Sequence, residues 1–168
     1  MSAALLIIRL IVGLGIAAHG SQKLFGWFGG YGIAGTGGFF EGLGFRPGPL
    51  FALAAGLGEV TGGLLTFLGL GGALGPAIMV LVMLVAIVSV HLTKGFFSDK
   101  GGWEVAALYI AGALAVAFAG SGAYSLDRIF GLSFLTAETQ TWYALAAAVV
   151  LAALNLVARR PVKAPVNP

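Results

Sequence analysis

The sequence predicts an all-α fold, a polytopic bundle of transmembrane helices, and three observations predict it. Of 168 residues, 59% are hydrophobic and only 9% are charged, and the mean hydropathy is +1.01; so few charges do not cover a soluble domain. Five apolar runs have lengths near the roughly 17 to 25 residues that cross a hydrocarbon core of about 30 Å. The lysines and arginines fall between those runs in an asymmetric pattern, the signature of membrane topology.

The five runs follow in order. The first covers about residues 3–18 and is interrupted by Arg9; the second, about 50–70, is interrupted by Glu59. The third covers about 74–90 and the fourth about 103–119. The fifth, about 142–158, is alanine-rich, carries Asn155 and is the weakest as a complete span. Between the second and third lies only the short GGALGP, whose glycines and proline favour a tight turn and a helix start, so these two helices form an antiparallel hairpin. No Lys or Arg precedes the first run, which argues for a true span and against a signal peptide. With the N-terminus outside, the inner segments hold Lys23, Arg46, Lys94, Lys100, Arg159, Arg160 and Lys163, and the outer loops hold only Arg128. Short cytoplasmic loops collect cations in this way, so the C-terminus is expected in the cytoplasm of a multi-pass plasma-membrane protein.

Composition also excludes functions. Cysteine is absent, which removes disulfides, thiolate metal sites and thiol nucleophiles. The net charge of +3 is spread over loops and forms no polybasic face for nucleic acid. The partners expected are the lipid bilayer and, for any redox role, a bound cofactor or another protein.

Charges at membrane depth are the most informative residues, because an unpaired one costs roughly 2.5 to 3.5 kcal/mol on insertion scales. Counting about 15 Å from each helix's inner end at 1.5 Å per residue sets Arg9, ten residues before His19, opposite Glu59, ten residues after Pro49. The two are expected to pair. Gly13 and Gly20 share Arg9's face, and Ala52, Ala55, Gly62, Gly63 and Thr66 lie on or beside Glu59's; such small residues let membrane helices approach closely. GEVTG, Gly58 to Gly62, is itself a G-x-x-x-G. The pair either fixes helix register or lines a polar cavity that binds a substrate or quinone head group or relays a proton.

A second cluster is expected near the inner surface: His19, Lys23, His91 and Glu104. Histidine titrates near neutral pH and a neighbouring carboxylate shifts it, so the set suits proton exchange or ligand contact. It equally suits an interfacial belt, where Trp27, Trp103 and Trp142 also fall, and Glu104 suits a helix N-terminus. No H-x-x-x-H or E-x-x-H spacing marks a metal site, and none is predicted. The glycine- and aromatic-rich loop over residues 20–49 contains GYGIAG, which matches a dinucleotide fingerprint in letters only, since no βαβ unit surrounds it. TGGFFEGLGF within it has Phe39, Phe40 and Leu43 at helical spacing, as in a short interfacial helix. Phe25, Trp27 and Phe28 are expected to cap the cytoplasmic mouth of the bundle.

These residues carry a resemblance. The ordered set of RLIVGLGIAAHGSQKLFGWFGGYGIAGTGGFFEGLGF, GLGEVTGGLLTFLGL, SVHLTKGFF and GWEVAALYIAGALAVAFAG resembles the DoxX family of small bacterial and archaeal membrane proteins, over roughly residues 5–130. The resemblance implies a four-helix core over residues 1–130, with residues 131–168 an appended transmembrane helix and short basic tail. It also implies a link to redox complexes that use quinone and work with soluble or membrane partner proteins. Two functions are therefore carried. One is a membrane subunit of a redox complex, with quinone bound in the bundle, Arg9 and Glu59 holding polar atoms, and His19, His91 and Glu104 exchanging protons. The other is a non-catalytic carrier, receptor or assembly scaffold, favoured by the scarcity of nucleophiles and of any cofactor motif. The small-residue faces suit either a monomeric bundle or association between chains.

Overall fold

A computed structural model describes residues 2–160, so Lys163 of the expected basic tail lies outside the described residues. Helix α1 (Ser2–Phe25) is followed by a 3-10 turn and by α2 (Gly32–Gly42), then by α3 (Gly48–Leu68) and α4 (Leu74–Ala86). Helix α4 continues through a π turn at Ile87–His91 and a 3-10 turn at Leu92–Lys94. Helix α5 (Glu104–Ala119), the single turn α6 (Leu126–Ile129) and α7 (Glu138–Val157) complete an all-α bundle.

The interior is built from small residues and the exterior from large apolar ones. Ile7, Ile11, Leu57, Leu108, Val149 and Leu154 face outward, while glycines, Ala52, Ala113, Ala148 and Met79 are buried. Lipid tails are as apolar as leucine, so close packing of small residues rather than exclusion of leucine from the surroundings holds membrane helices together. The α1–α3 pair is the tightest case. A Cβ at Gly13 would meet the backbone of Gly63 and Phe67, and one at Gly20 would meet the backbone of Gly56 and Val60. The GEVTG glycines turn elsewhere, Gly58 toward Val82 and Gly62 toward Ile78 of α4. Helix α4 packs on α3, α5 and α7.

Two features define the ends of the bundle. At one end α3 stops at Gly69, whose φ of 63° suits glycine, and the chain turns at once into α4. At the other, α2 lies against α1 and α3, and Glu41 accepts a hydrogen bond from the Gly48 amide (3.0 Å) to cap α3. The last described residues return to this second end, where the Arg160 amide donates to Gly44 O (2.8 Å) and Arg159 Nε to Leu43 O (2.9 Å).

Ser2–Phe25, Gly48–Leu68, Leu74–Lys94 and Glu138–Val157 are long and apolar enough to cross a membrane; Glu104–Ala119 is shorter. The expectation that the fifth run is the weak span is thus reversed. Helix α7 begins one turn early because Thr141 is buried and its hydroxyl donates to Ala117 O (3.3 Å). Helix α5, of 16 residues or about 24 Å, ends at Gly120, whose φ of 75° and ψ of 178° few other residues adopt. The loop expected over 20–49 is also shorter, since α1 runs on to Phe25 and α2 occupies its middle.

Candidate functional site

Arg9 and Glu59 are both 2% exposed, but the structure does not bring them together. Gly13 abuts Gly63 and Gly20 abuts Gly56, so on the antiparallel helices Arg9 is level with Phe67, and Glu59 with Ala17. They stand about 12 Å apart along the axis, roughly two turns. The expected register assumed that α1 ends at His19. Because the helix continues to Phe25, the start of α3 lies level with the end of α1, and each residue of α3 stands about eight residues nearer the C-terminal end of α1 than that register assumed.

Arg9 instead closes the Gly69 end of the bundle. Its Nε donates to Thr66 O (3.0 Å) and Nη2 to Phe67 O (2.8 Å), both carbonyls in the last turn of α3. Its Nη1 donates to Ser121 O (2.6 Å) and Tyr124 O (2.8 Å) in the connection after α5. A cation at a helix C-terminus complements the helix dipole, and the planar fork reaches two backbone segments at once. Asp127 extends this knot. Its carboxylate accepts from the Gly71 and Gly72 amides (2.8 and 2.9 Å) and from Ser121 Oγ (2.7 Å). Nothing in the spacing of Asp127 announced this partnership, which joins segments more than fifty residues apart.

Glu59 is paired with Lys23. The ammonium donates to Oε2 at 2.6 Å and Oε1 at 2.9 Å, with Lys23 24% exposed. Lys23 stands nearer the end of the bundle than Glu59, and its long stem reaches back into the apolar interior, as membrane lysines do in the opposite direction when they snorkel. An ammonium has three donors; two go to Glu59, and no other hydrogen bond to a described residue uses the third.

Two chambers meet at this pair. The first, about 260 Å³, is walled by Phe39 and Phe40 of α2, by Phe45 and Phe51, and by Val85 and Leu81 of α4, with Lys23, Glu59, Ser89, His91 and Asn155 as its polar groups. The second, about 280 Å³, lies toward α5 and is lined by His19, Tyr109, Met83 and Ala106 together with Lys23, Glu59 and His91. A wider opening between α2 and the end of α1 also reaches Lys23 and His91. The aromatic wall is not the one expected: Phe25, Trp27 and Phe28 are 58%, 58% and 71% exposed and stack on one another at the surface. Phe25 ends α1 and the other two follow it, whereas α2 folds back beneath the bundle and sets the half-buried Phe40, with Phe39 at the rim and 52% exposed, along the cavity.

The histidines have defined donors. His91 ends the π turn, a distortion of α4 that recurs at functional sites and accompanies a Ser89 hydroxyl bonded back to Val85 O (2.6 Å). Its Nδ1 donates to Gly101 O (2.7 Å); a carbonyl only accepts, so in the neutral ring Nε2 is the acceptor. His19 Nδ1 lies 3.1 Å from Gln22 Oε1, with the Gln22 amide nitrogen spent on Phe28 O (3.1 Å), so its Nε2 is likewise the acceptor. His19, Lys23 and His91 therefore share one chamber with Glu59. Glu104 does not join them: it heads α5 and its Oε2 accepts the Ser98 amide (2.9 Å). Among the described residues no three acidic or histidine side chains are gathered as metal ligands. Tyr109, Phe45 and Phe51 were not singled out from the sequence, and Phe39 and Phe40 were singled out only as the apolar positions of a short interfacial helix.

The fold and the site together define a multi-pass α-helical membrane protein with a charged pair enclosed in an aromatic-walled cavity near one end of the bundle. The family model DoxX matches residues 4–92, more than half of the chain, and the chain belongs to the DoxX family. The match contains Arg9, His19, Lys23, Glu59 and His91 and ends before Glu104 and Tyr109. No curated protein and no solved structure matches the chain.

Proposed function

We propose that this protein is a membrane subunit of a redox complex that binds a quinone, or a similar small molecule with an apolar body and a carbonyl head, at the junction of the two chambers. The observation that carries the reading is the Lys23 ammonium, held by Glu59 with one N–H left over, at the polar end of a cavity walled by four phenyl groups. A buried charge pair contributes little net stability against its desolvation, so its retention at the mouth of a cavity favours a binding role. The phenyl groups would hold the ring and its apolar substituents, Lys23 would donate to a carbonyl oxygen, and His91 Nε2 would exchange a proton at that oxygen. Bound quinone supplies two-electron, two-proton acceptor chemistry. This chain has no thiol to supply the electrons, and in this reading they come from a partner protein or from a further bound cofactor.

The residence proposed is the plasma membrane of a bacterium or archaeon, with the Lys23 end of the bundle at the cytoplasm. The positions of Lys23, Arg46, Lys94, Lys100, Arg159 and Arg160 near that end, against Arg128 and the buried Arg9 at the other, support it. Residues 1–130 are taken as the functional core, with α7 an added helix that braces α4.

The test is equilibrium binding of a short-chain ubiquinone analogue to purified protein, with lipid extracts of the same preparation analysed by mass spectrometry. The expected result is saturable binding that Glu59→Gln and Phe45→Ala each weaken about tenfold or more. Absence of quinone from the extract together with no binding would leave the carrier or scaffold function in its place.

A further inference from the structure

Resting on that reading, we infer that Tyr109 is a second ligand-contacting residue and takes the carbonyl oxygen opposite the one held by Lys23. Tyr109 stands on α5, outside the segment matched by the family model. It lines the α5-side chamber with His19, Lys23, Glu59 and His91. Its ring is fixed edge-on against His19, with centroids 5.9 Å apart and planes at 87°.

Its hydroxyl is the informative atom. No hydrogen bond joins it to a described residue, and because no fully buried side-chain polar atom among those residues lacks a partner, the hydroxyl is not fully buried. It is held instead against α1 at Gly15, where a Cβ would overlap Oη. Glycine at 15 therefore makes the room in which the hydroxyl sits, at nearly the level of Glu59. Tyr109 and Glu59 line the same chamber from α5 and α3, and no hydrogen bond connects them. A ligand oxygen in that chamber needs a donor, and the phenol can supply one.

A quinone ring carries its carbonyl oxygens on opposite edges. The third N–H of Lys23 serves one edge, and the two chambers share Lys23, Glu59, Ala86 and His91, so a ring seated beside the pair extends its far edge toward the chamber of Tyr109. A single donor would fix only one edge; two donors set both the depth and the rotation of the ring. The Tyr109 hydroxyl is thus a positioning contact that polarises the second carbonyl.

The experiment is infrared difference spectroscopy on the full-length purified protein with ubiquinone analogues labelled with carbon-13 at one or the other carbonyl, combined with affinity measurement. Tyr109→Phe keeps the ring and its contact with His19 and removes only the hydroxyl. In the wild type both carbonyl bands are expected below their free positions. In Tyr109→Phe one band is expected to return toward the free value while the other stays, and affinity is expected to fall about three- to tenfold, the range of one lost hydrogen bond. Gly15→Ala, which displaces the hydroxyl, is expected to move the same band. If the wild type binds and Tyr109→Phe leaves both bands and the affinity unchanged, or moves both bands equally, the assignment of Tyr109 is overturned while the proposed function stands. If the wild type binds no quinone, both are overturned.

Discussion

Replacing Arg9 by methionine tests the role of the most deeply enclosed cation. The guanidinium makes four hydrogen bonds of 2.6 to 3.0 Å to carbonyls of two segments. Thr66 O would keep a second donor, the Gly69 amide at 3.1 Å, so the loss falls on the carbonyls of Phe67, Ser121 and Tyr124. Leaving such groups unsatisfied costs about 1 to 3 kcal/mol each. Ser121 borders a crevice at the surface of the bundle, where water replaces part of what is lost, and the total expected is about 3 to 5 kcal/mol. For a chain of this length that lowers the melting temperature by roughly 10 °C. The assay is thermal unfolding in detergent followed by far-ultraviolet circular dichroism. Arg9→Lys keeps the charge but not the fork that reaches α3 and the Ser121 segment together, and is expected to recover only part of the loss. A melting temperature for Arg9→Met within about 2 °C of the wild type would refute the reasoning that this knot holds the end of the bundle.

Double-mutant cycles on unfolding distinguish the true partner of Glu59. Lys23→Met combined with Glu59→Gln is expected to cost at least about 1 kcal/mol less than the sum of the single changes, whereas Arg9→Met with Glu59→Gln is expected to be additive within about 0.5 kcal/mol; the reverse pattern would restore the Arg9–Glu59 pairing. For topology, a reporter enzyme fused after Arg160 is expected to read as cytoplasmic in cells, and a signal from the outer face would overturn the proposed orientation.

Much of the fold was legible in the sequence because membrane insertion depends on local composition. A run of apolar residues long enough to span is a property of that run alone, and the α3–α4 hairpin follows from a six-residue connection with glycine and proline. The boundaries were less legible. Lys23 and Gln22 look like interfacial residues, yet they continue α1 because Glu59 and His19 hold their side chains. That extension of α1 by less than two turns changed the partners of both Arg9 and Glu59.

By itself, the sequence determined an all-α membrane bundle, the polar residues within it, the asymmetry of its cations and its membership of a family. These are sums over neighbouring residues, insensitive to a few residues of register. Only the tertiary structure decided that Arg9 closes one end with backbone carbonyls, that Lys23 rather than Arg9 meets Glu59, that Glu104 turns to Ser98, and that Phe39, Phe40, Phe45 and Phe51 rather than Trp27 and Phe28 face the cavity. Hydrogen bonds act over about 3 Å, while a slip of two turns between helices moves a side chain by about 11 Å. Register between α1 and α3 rests on the contact of Gly13 with Gly63 and Gly20 with Gly56, a match between distant segments that no local pattern records.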